Sequence, residues 1–233
     1  MSAKHEKEIR VEATLRQAGM LAAPVRKMKG NLIIISSPSG GGKGTLIREV
    51  LGAVPDVGYS VSLTTRAPRF GEEDGRHYHF VTKHKFEEEV SLGGFLEYAE
   101  VHGHLYGTSR IQIERITNSG SDVILEIDVK GALQVLDKIP EAVSVFIMPP
   151  SFEVLKARLT SRATENLDDL ALRLRNSFLE VMQNTRFGYI IINDEVPVAA
   201  RKLAAIILAE RQRRDRQMEA VQGILDNFEH SKP

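Results

Sequence analysis

The residues best equipped for chemistry are Ser36-Ser37-Pro38-Ser39-Gly40-Gly41-Gly42-Lys43-Gly44-Thr45, which follow directly on the apolar run Leu32-Ile33-Ile34-Ile35. Three successive glycines let a backbone turn tightly enough for its N–H groups to point into one concavity. A helix starting near Lys43 would add the positive end of its dipole, and the lysine an ammonium, at the same point. That is chemistry for holding phosphates, and Ser39, Gly40, Gly41, Gly42, Lys43, Gly44 and Thr45 are the candidate phosphate-binding set. The strict pattern G-x-x-x-x-G-K-[ST] is broken twice. Ser37 stands at the first glycine, and Gly44 follows the lysine, with Thr45 one place late. A glycine-rich turn with an incidental lysine is the plainer alternative; a strand before and a helix after favour phosphate.

Arginines supply the next signal. Arg66 and Arg69 lie three apart in a segment containing Pro68 and Gly71. A lone arginine usually ends in a surface ion pair, but two guanidinium forks in one loop suit a dianionic monoester. Arg158 and Arg162 form another basic segment, with Arg173 and Arg175 further on. A solvated helix face explains the last two equally well, and the sequence does not separate them.

These residues need elements to position them. Strand-like runs fall at 32–35, 60–63, 75–81, 95–101, 104–108, 123–128, 143–147 and 188–194. Helical segments are expected at 46–54, 85–90, 109–116, 131–136, 152–159 and 167–182, and one long helix from Pro197 onward. Strands alternating with helices in both halves imply an α/β fold with a parallel sheet flanked by helices, where ligands gather at the strands' C-terminal ends. Residues 62–110 interrupt that alternation as a β-rich insertion. Residues 1–29 read as an extension, partly helical or disordered, and 215–233 as a helical one. In the latter, Met218, Val221, Leu225 and Phe228 recur at helical spacing; such a stripe packs on the chain's own core or on a second copy in a homo-oligomer.

Bulk composition excludes several classes. The 233 residues are 42% hydrophobic and 27% charged, ordinary for a globular chain with a sizeable core. Basic and acidic residues both number 31, so no net field argues for nucleic acid or a membrane surface. No apolar run approaches the roughly 18–20 residues of a membrane span. The absence of cysteine fits a reducing cytoplasm, and charges at Lys4, Glu6, Lys7, Glu8 and Arg10 stand where a signal peptide would be apolar.

The string Ser60-Val61-Ser62-Leu63-Thr64-Thr65-Arg66-Ala67-Pro68-Arg69, with Gly71-Glu72 and residues 75–80, closely resembles guanylate kinase. So do Phe95-Leu96-Glu97, Tyr106-Gly107-Thr108, Ile127-Asp128 with Gly131, Arg158-Leu159 with Arg162, and residues 189–194. The resemblance covers about 31–214. It implies a P-loop kinase core, a β-rich GMP-binding insert at about 62–110 and a helical lid at about 152–186, within a domain spanning 30–214. It implies the reaction ATP + GMP → ADP + GDP, with dGMP as a further acceptor.

Carried over residue by residue, the resemblance puts Arg66, Arg69, Tyr78 and Tyr106 on the acceptor's phosphate. Glu97 would accept from guanine N1–H and N2–H₂, Ser62 would donate to O6, and Thr108 would be a second contact near the base. Such a reader leaves buried polar groups unpaired with the wrong base, which supports about 10⁴-fold rejection. Lys43 would grip the donor phosphates while Arg158, Arg162 and Arg173 swing in from the lid. Asn193 would lie near adenine. Magnesium would arrive as Mg-ATP, with no metal ligand assigned because Gly44 lacks a hydroxyl. Thr45 or Asp128 would act through bound water, and Asp128 alternatively, or also, on GMP. The family's lid often carries glycine where Ala163 stands. Two rivals stay open: a non-catalytic module binding phosphorylated segments in the monophosphate pocket, and a kinase for another phosphorylated acceptor such as a ribose phosphate.

Overall fold

The structure is a computed structural model, and it describes residues 29–101, 103–161 and 167–231. The expectations for residues 1–28 and for Arg162 and Ala163 fall outside the described residues. Lys29–Arg213 form one compact unit, and the last helix belongs to another.

The unit is built on five strands, β1 (Leu32–Ser36), β2 (Val57–Tyr59), β7 (Asp122–Glu126), β8 (Val143–Met148) and β9 (Tyr189–Ile192). They pair in the order β2-β7-β1-β8-β9, every pair parallel. Central β1 sets Ile33 opposite Ile124 and Val143, and Ile35 opposite Glu126 and Val145. A parallel sheet is covered on both faces, which is why β1 reads as a continuous apolar run rather than an alternating one. Ile33 and Ile35 pack with Leu46, Ile47 and Val50 of α1 (Lys43–Ala53) and with Leu203 and Ile207 of α7 (Val196–Arg211). Ile34, pointing the other way, joins Ile113 of α3 (Arg110–Asn118), Ala132 and Val135 of α4 (Val129–Lys138), and Phe146.

A second sheet is built from strands that lie between β2 and α3 in the chain. Strands β3 (Leu63–Thr64), β4 (His79–Phe80), β5 (Phe95–Val101) and β6 (His104–Ser109) pair in the order β4-β3-β6-β5. Helix α2 (Lys83–Ser91) seals it with buried Phe86, whose ring stacks on Phe95 at 4.5 Å between centroids. Side chains cap four of the helix starts. Thr82 accepts from Lys85 N–H, Ser109 from Gln112, Asp128 from Gly131, and Ser151 from Val154 at the start of α5 (Phe152–Thr160).

Three sequence expectations change. The strand expected over 60–63 splits, because Ser60 N–H makes the last bond to the first sheet, at Ile124, and the chain then crosses to the second. The strand expected over 75–81 shrinks to β4: Gly75 at φ 75° closes a turn onto the Tyr78 carbonyl, and Asp74 accepts from Phe80 N–H. The single long helix from Pro197 is two, α7 and α8 (Arg214–His230), parted at Gln212. The break follows Arg211, which is anchored to buried Asp122 at 2.7 Å and to the Pro55 carbonyl at 2.8 Å. Asp122 also accepts from the backbone and side chain of Asn31, so one acid ties together the starts of β1 and β7 and the end of α7. Among the described residues, no helix is long and apolar enough to cross a membrane.

Candidate active site

The C-terminal end of β1 runs into the glycine-rich loop. Gly40 and Gly42 have φ of 81° and 88°, a region that L side chains rarely adopt. Gly42 is the N-cap of α1 and has no side chain to cap it. Its first amides are therefore open to an anion. The loop is buttressed from the far strand, where buried Asn193 donates from Nδ2 to the Gly41 carbonyl at 2.9 Å. Its amide nitrogen lies 2.5 Å from where Gly42 would carry a Cβ, so only glycine fits there. Arg158 of α5 donates from one guanidinium nitrogen to the Asn193 carbonyl at 2.9 Å. Its other terminal nitrogen is buried without a hydrogen-bond partner among the described residues and stands 3.9 Å from the same Cβ position. An orphaned cationic donor beside an open phosphate loop is a costly arrangement that a nucleotide phosphate would satisfy.

Helix α6 (Leu167–Val181) closes over the loop at Ser39. Arg173 donates to the Ser39 hydroxyl at 3.0 Å, while Arg175 is exposed, so the geometry separates two arginines that the sequence left together. Ser177 donates to the Ser39 carbonyl at 3.5 Å, and Glu180 accepts from Ser39 N–H at 3.1 Å.

Beside the loop lies a cavity of about 450 Å³ between the two sheets. Seven expected acceptor residues line it: Ser62, Arg66, Arg69, Tyr78, Glu97, Tyr106 and Asp128. So does Lys43, which brings the end of the loop to the cavity wall. Thr108, fully buried and paired opposite Glu97 across β6 and β5, is not among the lining residues and donates to Glu97 Oε1 at 2.6 Å. It orients the carboxylate from its neighbouring strand. Burial raises the Glu97 pKa above its ordinary value, with the Thr108 hydrogen bond opposing and nearby Asp128 adding to the rise. Gly131 leaves room for both acids: a Cβ there would come within 3.1 Å of Glu97 Oε2 and 3.3 Å of Asp128 Oδ1.

The basic end is more structured than the sequence suggested. Arg66 grips Glu72 through two bonds of 2.9 Å, donates from Nε to the Tyr106 hydroxyl at 3.2 Å, and lies over the Tyr78 ring at 5.4 Å. Glu72 also accepts from Arg69 N–H, and these bonds, the Arg66 pair foremost, hold its carboxyl down at about 2. The guanidinium is thereby fixed in the cavity wall before any phosphate arrives, while the Arg69 side chain stays exposed.

Four residues lay outside the sequence prediction. Glu72 and Glu126 also line the cavity, Tyr59 donates to Glu126 at 3.1 Å, and Glu180 reaches the loop. Glu126 had a weak signal as an acid ending a buried strand. Its Oε1 lies 3.3 Å from where Gly44 would carry a Cβ, beside the position of the missing hydroxyl. Among the described residues, no group of three or more His, Cys, Asp or Glu could hold a metal ion.

A parallel α/β core with an open glycine-rich loop at a strand end, facing a pocket lined by arginine, tyrosine and acid, defines a nucleotide-binding kinase. A family model described as guanylate kinase matches residues 29–210. A guanylate kinase of Neisseria meningitidis is 46% identical over 199 residues, covering 85% of this chain and 97% of the relative. One of Clostridium perfringens is 44% identical over 191 residues, covering 82% and 88%. The crystal structure of guanylate kinase from Anaplasma phagocytophilum superposes with a TM-score of 0.67 at 33% identity, over 82% of this chain and 90% of that one. The chain belongs to the guanylate kinase family.

Proposed function

We propose that the cavity and loop together perform the family reaction, transferring the γ-phosphoryl group of ATP to GMP, or to dGMP, and giving ADP and GDP. The observation that carries this reading is that Lys43 lines the same cavity as Glu97 and Arg66. A donor phosphate held at the loop and an acceptor phosphate held at the arginines then meet without a barrier between them.

Each residue has a task. The amides at the start of α1, Lys43 and the unpartnered nitrogen of Arg158 hold the donor's phosphates. Arg66, Arg69, Tyr78 and Tyr106 hold the acceptor's phosphate, with Glu72 keeping Arg66 in its plane. Glu97 reads N1–H and N2–H₂ of guanine, Ser62 reads O6, and Thr108 steadies Glu97. Asp128 contributes at the acceptor side, and Arg173 brings positive charge from α6. Asn193 acts on the donor through the loop it supports. The attacking oxygen belongs to a phosphate with a second pKa of about 6, so it is mostly anionic at neutral pH and needs no general base. What remains for the protein is positioning and charge neutralisation.

Magnesium is expected with ATP, where it neutralises charge on the donor phosphates. The donor set suits a hard cation that keeps most of its water: Glu126 and Asp128 offer carboxylates beside Lys43, and Gly44 offers nothing. Glu126 and Asp128 would hold it, with Thr45 acting through water. The cysteine-free chain and these substrates support a cytoplasmic enzyme. A non-catalytic phosphopeptide module has no use for an open loop with an orphaned arginine, and a ribose-phosphate kinase has none for a buried Glu97. The test is coupled ADP release with Mg-ATP, comparing GMP, AMP, UMP and no acceptor. Turnover with GMP alone is expected; GMP binding without turnover would move the assignment to the binding module.

A further inference from the structure

Helix α6 engages all three polar groups of Ser39 through side chains four and three residues apart, which places Arg173, Ser177 and Glu180 on one helix face. Two of these contacts are ordinary packing of a polar helix on a loop. The third is not. A backbone N–H in a phosphate-binding loop is where a ligand anion is held, and here a protein carboxylate holds it. We propose that Glu180 is a positioning residue that competes with the donor nucleotide, its carboxylate taking the Ser39 amide in the empty loop and giving it up when the donor's phosphates enter. This rests on the reading of residues 39–45 as the donor site.

The charges around Glu180 favour displacement. Its pKa is raised, first by burial and also by Asp128, while Ser39 N–H and the Lys43 ammonium pull it down. The carboxylate thus depends on the Ser39 amide, with the Lys43 ammonium a weaker attraction from further off, and a nucleotide phosphate would claim both. Asp128 already repels it, and a donor phosphate beside Lys43 would repel it more strongly. Arg173 stays with the Ser39 hydroxyl on the same helix face and is free of this conflict, since its charge suits the incoming phosphate. Glu180 therefore holds α6 near the loop before ATP arrives and lowers donor affinity, linking nucleotide entry to release of one of three bonds to Ser39.

The test measures Mg-ATP and GMP dissociation constants by titration calorimetry on the full chain, for wild type, Glu180→Gln, Glu180→Ala and Lys43→Ala. Glutamine keeps the shape and an acceptor while removing the charge, so it carries the test should alanine disturb folding. The expected result is an ATP constant lowered by roughly three- to tenfold, the size of one displaced hydrogen bond, with the GMP constant unchanged within about twofold. In steady-state assays the KM for ATP should fall while kcat does not rise. A merely structural helix residue would instead leave ATP binding unchanged or weaken it. Unchanged or weaker ATP binding in both Glu180 variants, beside a weakened Lys43→Ala, overturns the inference alone. Undiminished ATP binding by Lys43→Ala overturns the donor-site reading and the inference with it.

Discussion

Replacing Glu97 by glutamine removes one charge and one acceptor from the base end of the cavity while leaving its shape alone. Thr108 sets the outcome. Its hydroxyl donates to Oε1 at 2.6 Å and would donate to the amide oxygen in the variant, which turns the amide nitrogen to the side now occupied by Oε2. Guanine N1–H and N2–H₂ would then meet an –NH₂ group where they had met a carboxylate oxygen. One charge-assisted hydrogen bond is lost, worth about 1.5–3 kcal/mol, and opposed donors are left facing each other. Glu97 is only 6% exposed, so water cannot rescue the mismatch. A total of about 2–4 kcal/mol corresponds to roughly a 30- to 1,000-fold loss in kcat/KM for GMP. The assay is coupled ADP release with GMP and AMP as acceptors at saturating ATP. The KM for ATP should hold. A GMP-to-AMP preference in Glu97→Gln equal to the wild-type value would refute the base-reading role.

The same variant should gain stability without ligand. Burial raises the folded pKa of Glu97, so the unfolded chain ionises first, and wild type loses stability as pH rises from near 4.5 through the folded value. The Tm of Glu97→Gln should exceed wild type at pH 8 and converge on it toward pH 4; a difference independent of pH would contradict the assignment. Gly42→Ala meets both a left-handed φ of 88° and the Asn193 amide 2.5 Å away. The φ alone costs about 1–2 kcal/mol, and calorimetry should find ATP binding lost; retained binding would mean the loop is not held as described. Asp122→Ala strips a buried acceptor from Arg211 and Asn31 at the opposite end of β7 from cavity-lining Glu126, and should cost about 2–4 kcal/mol in urea unfolding with the KM values unmoved. A loss below about 1 kcal/mol would show that the tie is not structural.

The loop and the arginine motif were legible because their chemistry needs particular residue types at fixed spacing. Gly40, Gly42, Lys43 and Arg66 stand out by residue type and spacing, whereas Tyr78, Glu97 and Tyr106 are picked out only through the resemblance to guanylate kinase. The alternating strands and helices likewise gave the parallel sheet, since β1, β7 and β8 are buried on both faces and read as apolar runs. Glu72 and Glu180 were not legible. Each lies in an amphipathic or acidic stretch where a solvated glutamate is the ordinary outcome, and each acquires its role only through a contact across the chain or a loop closure. The bond from Thr108 to Glu97 joins cross-strand partners of β6 and β5, a pairing that the sequence does not reveal near the register shift between Phe95 and Glu97. Asn193 looked like a turn former or adenine neighbour, and its bond to Gly41 spans 152 residues of sequence. The break at Gln212 has no glycine or proline to announce it.

Gly44 and Glu126 carry a consequence for how such a sequence can change. The glycine that departs from the usual phosphate-loop pattern backs onto a carboxylate oxygen at 3.3 Å from its would-be Cβ. That carboxylate is itself fixed by the Tyr59 hydroxyl. A serine at position 44 would restore the pattern and crowd the acid in one step, whereas an aspartate at position 126 would first withdraw by one methylene and make room. The two positions are therefore coupled: a side chain at 44 asks the Glu126 carboxylate to give by a few tenths of an ångström, against the hold of Tyr59.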